Sequence, residues 1–230
     1  MTSAGSRTAG GFPGLSLSVV VVAFGLRLWP GAVEELAYVP GTLARGEWWR
    51  LLGCHLAHWS FDHTLWDALT FLVVGGWCEA AGRGRMVAAT LAGAVVIPPV
   101  VLAVQPELSA YAGLSGLDVA LYALLVARVA RERWRDGGAP LRAALVAASA
   151  GLVGKVACEL ATGGLWFVRS HGGDFVPVPL AHLIGGCIGG AVGSVGGKLA
   201  SGPATWRARS LPVVDLGSPS RQGGVRLAGR

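Results

Sequence analysis

One serine sits between glycines, Gly113-Leu114-Ser115-Gly116, at the start of the apolar run YAGLSGLDVALYA. Two other apolar runs carry a histidine near one end: His63 in SFDHTLWDALTFLVV and His182 in VPVPLAHLIGGCIGGAVG. A serine nucleophile, a histidine to take its proton and a further polar group to hold an oxyanion are the parts that acyl transfer needs. Alone, a small residue in a glycine-rich run is packing material that lets helices approach. The chemistry depends on whether the chain brings the three together.

The elements that must do so are apolar. Of 230 residues, 53% are hydrophobic and 14% charged, with a mean hydropathy of +0.55. A soluble domain carries about 25% charged residues. The composition therefore predicts an all-α, polytopic membrane protein, a bundle of six transmembrane helices in a lipid bilayer. The net charge of +6 does not mark a nucleic-acid partner, because the basic residues stand at the ends of apolar runs and in the tail. Cys54, Cys78, Cys158 and Cys187 follow no disulfide or zinc spacing and read as inert thiols. A metal site built from His55, His58 and His63 lacks a second ligand cluster, so neither a metal nor a cofactor is expected.

In chain order, residues 1–11 form a short polar N-terminus, and 12–197 hold the six apolar runs. Residues 198–230 form a basic tail whose composition predicts disorder. The predicted spans are 12–29, 61–78, 86–104, 113–129, 141–161 and 178–195. Pro98-Pro99 is expected to bend the third or end it early. A signal peptide is the rival reading of the first run, but no small-residue cleavage site follows it. Residues 31–52 mix charges with tryptophans and fit an interfacial segment.

Basic residues set the orientation. Arg7, Arg83, Arg85, the cluster from Arg128 to Arg142 and the tail fall on one side; Arg45, Arg50 and Arg169 fall on the other. The positive-inside rule then puts both termini in the cytoplasm. Spans two, four and six run from outside to inside, so His63, Ser115 and His182 sit at similar shallow depth near helix N-termini. Free N–H groups and the helix dipole favour negative charge there.

These residues resemble the rhomboid intramembrane serine proteases. The resemblance covers about residues 46–197. It rests on Trp49-Arg50, His58 and His63 in HLAHWSFDH, Gly113-Leu114-Ser115-Gly116, and Ala181-His182-Leu183-Ile184-Gly185-Gly186. It implies a rhomboid-like bundle and a Ser115–His182 dyad needing no third acidic member. It also implies an oxyanion hole from the Ser115 N–H and the His63 side chain, and transmembrane protein substrates cut near the outer face. The stretch GEWWRLLGCHLAH, the short six-span build and Lys155-x-x-x-Glu159 are similar to the rhombosortase subgroup. That implies a bacterial inner-membrane enzyme processing C-terminal Gly-Gly-type anchor segments.

Two positions depart from the family. Asp67 stands where an asparagine usually helps hold the oxyanion; kept protonated by burial, it would donate in the same way. Val119 stands where a large residue usually packs on the histidine, with Tyr122 one turn deeper. His58 and Arg50 read as residues ordering the external segment. Lys155 and Glu159 share a helix face, where pairing with each other or with Asp118 neutralises buried charge. Gly185, Gly186, Gly189 and Gly190 read as close packing of span six on span four. The alternative to a protease is a catalytically inactive rhomboid-like binder of membrane proteins. A transporter is a weaker third reading, as no inverted repeat is evident.

Overall fold

Helix α6, Ser115–Arg133, buries the consecutive residues Gly116, Leu117, Asp118, Val119, Ala120 and Leu121. At 3.6 residues per turn these point in every direction around the axis, so α6 is the centre of the bundle. The computed structural model describes residues 13–162 and 178–196. The N-terminal segment 1–11, the 163–177 loop with Arg169 and His171, and the tail from Lys198 lie outside the described residues.

Around α6 stand α4 (Phe61–Thr70), α5 (Gly76–Val104), α7 (Gly138–Thr162) and α8 (Pro179–Ser194); α1 (Gly14–Leu26) packs on α4 and α5, and α2 (Ala32–Leu36) and α3 (Arg50–Gly53) are short. A π-helical turn, Phe71–Gly75, joins α4 to α5. No strand occurs among the described residues, only one isolated bridge between Tyr38 and Tyr111. The all-helical expectation therefore holds. The count of six spans is less direct. Phe61–Val104 and Gly138–Thr162 are long and apolar enough to cross a membrane, and Gly14–Leu26 and Pro179–Ser194 are shorter apolar helices. Helix α6, with Asp118, Arg128, Arg131 and Arg133, does not meet that test.

Phe61–Val104 is not one rod. A straight helix would hold Asp67 and Ala94 about 40 Å apart at about 1.5 Å per residue. Instead Asp67 Oδ2 reaches Leu114 N, and the Ala94 carbonyl reaches His55, whose other ring nitrogen reaches Gly113 O. The chain reverses at Gly82, whose dihedrals leave the helical region. The guanidinium of buried Arg128 packs against the space where a Cβ of residue 82 would stand.

Pro98 and Pro99 do not end α5, which runs on to Val104. A proline inside a helix has no N–H for the carbonyl four residues back. The carbonyl that Pro98 leaves without its helical partner is Ala94 O, and His55 Nε2 lies 3.3 Å from it. The helix continues past the prolines with a side chain from the external segment seated against that open carbonyl. Burial pushes His55 down to about 4, so the ring is neutral and offers one N–H to its two carbonyl partners. A second repair lies at the other end of the bundle. The Glu79 carboxylate accepts from Leu15 N, Ser16 N and Ser16 Oγ, capping the open end of α1, and Arg83 pairs with it at 2.6 Å.

The tightest helix contact is between α6 and α8. A Cβ on Gly185 would overlap the carbonyl of Gly116, one on Gly189 the carbonyl of Ala120, and one on Gly193 would lie 2.7 Å from Leu124 O. Glycine at every fourth residue makes one face of α8 bare backbone. Of the four glycines expected to pack here, Gly185 and Gly189 do so. Gly186 only approaches Val119, and Gly190 faces open space. Gly193 completes the stripe. Two thiols, Cys54 and Cys78, are buried, whereas Cys187 is exposed.

This contact predicts a contrast within α8. Gly189→Ala forces the two helices apart and should destabilise the fold by about 1–3 kcal/mol. Gly190→Ala should be neutral or raise stability by up to about 1 kcal/mol, since alanine is the better helix former. Thermal unfolding in detergent measures both; equal melting temperatures would contradict the packing.

Candidate active site

Three helix N-termini meet around one cavity. Ser115 is the first residue of α6, His63 the third of α4 and His182 the fourth of α8. Each start has a local cause. The Ser60 hydroxyl accepts the His63 N–H at 3.2 Å and caps α4. Pro179 opens α8 at a position where no N–H is needed. Before α6, Gly113 has φ +126, and a Cβ there would lie 2.8 Å from the His63 ring; only glycine permits both the turn and the approach. The bridge between Tyr38 and Tyr111 (3.0 and 2.8 Å) and the Gly113 N–H bond to Cys54 O pin this turn to the external segment.

The cavity is about 300 Å³ and is lined by His63, Asp67, Tyr111, Ser115, Asp118, Val119, Tyr122, Lys155, Glu159 and His182, among others. It therefore gathers Ser115, His182, His63, Asp67, Lys155 and Glu159. Val119 and Tyr122 line it too, and the Tyr122 hydroxyl donates to Ala148 O at 3.0 Å, tying α6 to α7. Arg50 is not at the cavity. Its Nη1 donates to the Glu34 and Ala37 carbonyls at 2.8 and 2.9 Å, and its Nε lies 2.9 Å from Glu47. It fastens the external segment to itself. His58 stands behind the cavity wall, with its ring 5.0 Å from that of His63 and its Nε2 3.3 Å from Asp67.

Asp67 turns one carboxyl oxygen towards the segment that precedes α6. Its Oδ2 accepts the Leu114 N–H at 3.0 Å and lies 3.1 Å from His63 Nε2. That oxygen serves as an acceptor for groups around the Ser115 turn. The physical reason is the open N-terminus of α6: its first N–H groups have no intrahelical partner, and a carboxylate from α4 takes one of them. Ser115 N–H is the next in line and faces no helical acceptor.

On the opposite wall, Glu159 Oε2 lies 2.6 Å from His182 Nδ1, and Lys155 pairs with the other Glu159 oxygen. Glu159 is 1% exposed, so this is an enclosed contact and not a surface ion pair. The sequence placed Lys155 and Glu159 on one helix face; the approach of α8 to that face had no sequence signal. Asp118 does not join the pair. Its Oδ1, like the Tyr111 hydroxyl, is buried with no hydrogen-bond partner among the described residues.

No curated protein matches the chain significantly. A family profile, the Rhomboid domain, matches residues 45–198, about two thirds of the chain and all of the cavity-lining residues named above. That family is embedded in membranes, and its members are in general serine proteases acting on transmembrane proteins. With the match spanning α3 to α8, this chain belongs to the Rhomboid family.

Proposed function

We propose that this protein is an intramembrane serine endopeptidase working through a Ser115–His182 dyad. The observation that carries this reading is the glycine contact of α8 on α6, which brings the two N-terminal ends to one cavity. In the proposed reaction Ser115 Oγ attacks the scissile carbonyl while its proton passes to His182 Nε2. The tetrahedral oxyanion lies against the Ser115 N–H at the positive end of α6, with His63 beside it. Collapse breaks the C–N bond, and the Nε2 proton goes to the leaving amine. Water then attacks the acyl carbonyl, giving its proton to His182; the C–Oγ bond breaks, His182 returns that proton to Ser115 Oγ, and the acid product leaves.

The six apolar helical stretches are proposed as spans of a bacterial inner membrane, with both termini cytoplasmic and the cavity near the outer face. The basic asymmetry supports this orientation. The substrates are then single-span proteins cut near their outer end, and the rhombosortase-like residues point to C-terminal Gly-Gly-type anchors. Helix α7 forms the proposed gate for substrate and water. The rival reading is an inactive binder, favoured by the carboxylate of Asp67 beside the oxyanion site.

Three outcomes are expected. A fluorophosphonate should label the wild-type protein, and Ser115→Ala or His182→Ala should lose at least about a thousandfold in rate while still folding. Labelling of either variant at the wild-type rate would sink the dyad, and no labelling of folded wild type would favour the binder. A reporter fused after Arg230 should read cytoplasmic and one placed within 163–177 external; the reverse pattern would refute the orientation. Asp67→Ala leaves the Leu114 N–H without its acceptor and should cost about 1–3 kcal/mol. Asp67→Asn keeps an acceptor and should melt closer to wild type. Equal melting of both variants would show that the Leu114 bond contributes nothing.

A further inference from the structure

We infer that Glu159 is a positioning residue that completes the Ser115–His182 pair, fixing the His182 ring so that Nε2 is the nitrogen facing the serine. This inference rests on the peptidase reading above. It departs from a two-residue site, because it places an acidic third member on α7.

The argument begins with the two groups near His182 Nδ1. Glu159 Oε2 is 2.6 Å away and Lys155 Nζ is 3.3 Å away. They demand opposite tautomers. A carboxylate oxygen accepts, so it needs the proton on Nδ1; an ammonium donates, so it needs Nδ1 bare. The shorter, charge-assisted contact decides in favour of Glu159. Lys155 is satisfied elsewhere, on the second oxygen of the same carboxylate. With its proton on Nδ1, the neutral ring carries its lone pair on Nε2, the atom that must accept from Ser115.

The carboxylate does a second thing. When Nε2 takes the serine proton, the ring becomes a cation. Glu159 at 2.6 Å offsets that charge directly. The Nδ1 proton stays on the ring throughout, and Glu159 is not protonated. Lys155 balances the carboxylate in the resting state, so that Glu159 is not a lone buried charge. The helical spacing of Lys155 and Glu159 leaves one carboxylate oxygen for each partner.

The alternative is a purely structural ion network in which His182 is only a neighbour. Labelling kinetics with a fluorophosphonate on the full chain in detergent separate the two, read as the maximal inactivation rate and the probe affinity. In Glu159→Gln, Lys155 takes the amide oxygen and turns the NH2 towards Nδ1, which forces the wrong tautomer. The maximal rate should fall roughly a hundred- to ten-thousandfold, with probe affinity and melting temperature near wild type. The double variant Lys155→Met/Glu159→Leu removes both charges together, which a buried site tolerates; it should remain at least roughly a hundredfold slow. Wild-type rates in the folded double variant, with Ser115→Ala unlabelled, would overturn the role of Glu159 and leave the dyad standing. Loss of labelling in the wild type itself would overturn the peptidase reading and this inference with it.

Discussion

The bare backbone contact between α6 and α8 is the constraint on which the rest depends. In a bilayer no hydrophobic force drives one apolar helix against another, so close approach must come from shape. Gly185, Gly189 and Gly193 provide it by presenting no side chain to the carbonyls of Gly116, Ala120 and Leu124. The stripe begins three residues after His182, and its partner surface begins one residue after Ser115. The separation of the two side chains is therefore set by main-chain contact rather than by flexible packing. Few arrangements fix a serine and a histidine on different helices with so little freedom.

The other helices are held by polar groups, which is costly in an apolar medium unless each is satisfied. Asp67 ties α4 to the Leu114 N–H, Glu79 ties α5 to the start of α1, and Glu159 ties α7 to His182. In the first two cases a carboxylate meets backbone N–H groups at the start of its partner helix, and in the third it meets a side chain. These three acidic residues stand where helices must be joined. Helix α7 depends most on such bonds, since of its residues only Leu145, Val156 and Glu159 are buried.

Much of this was legible in the sequence. Run lengths, together with the depth shared by His63, Ser115 and His182, placed the three at one end of the bundle, because helix rise converts residue count into depth. The Gly185 and Gly189 packing was legible from spacing. What was not legible depends on which faces meet. Asp67 could be read as a buried acid, but its acceptor role needs the position of Leu114 N. Glu159 could be paired with Lys155 by helical spacing, but His182 reaches it only through the approach of a third helix. Gly186 and Gly190 look the same as Gly185 and Gly189 in sequence, and differ only by rotation about α8. Pro98-Pro99 pointed to a bend or an early end of the helix, because the ring that meets the opened carbonyl, His55, comes from a distant part of the chain.

That last pairing links two positions in a way that restricts how the protein can change. Pro98 opens the Ala94 carbonyl, and His55 Nε2 stands 3.3 Å from it. A residue with an N–H at position 98 would compete with the imidazole for that oxygen. A residue without a donor at position 55 would strand the oxygen in a dry interior, at a cost of about 1–3 kcal/mol. Neither substitution is neutral while the other residue stays as it is. The two positions therefore constrain each other. Across relatives the two sites should vary together, although one lies in the turn after α3 and the other within α5.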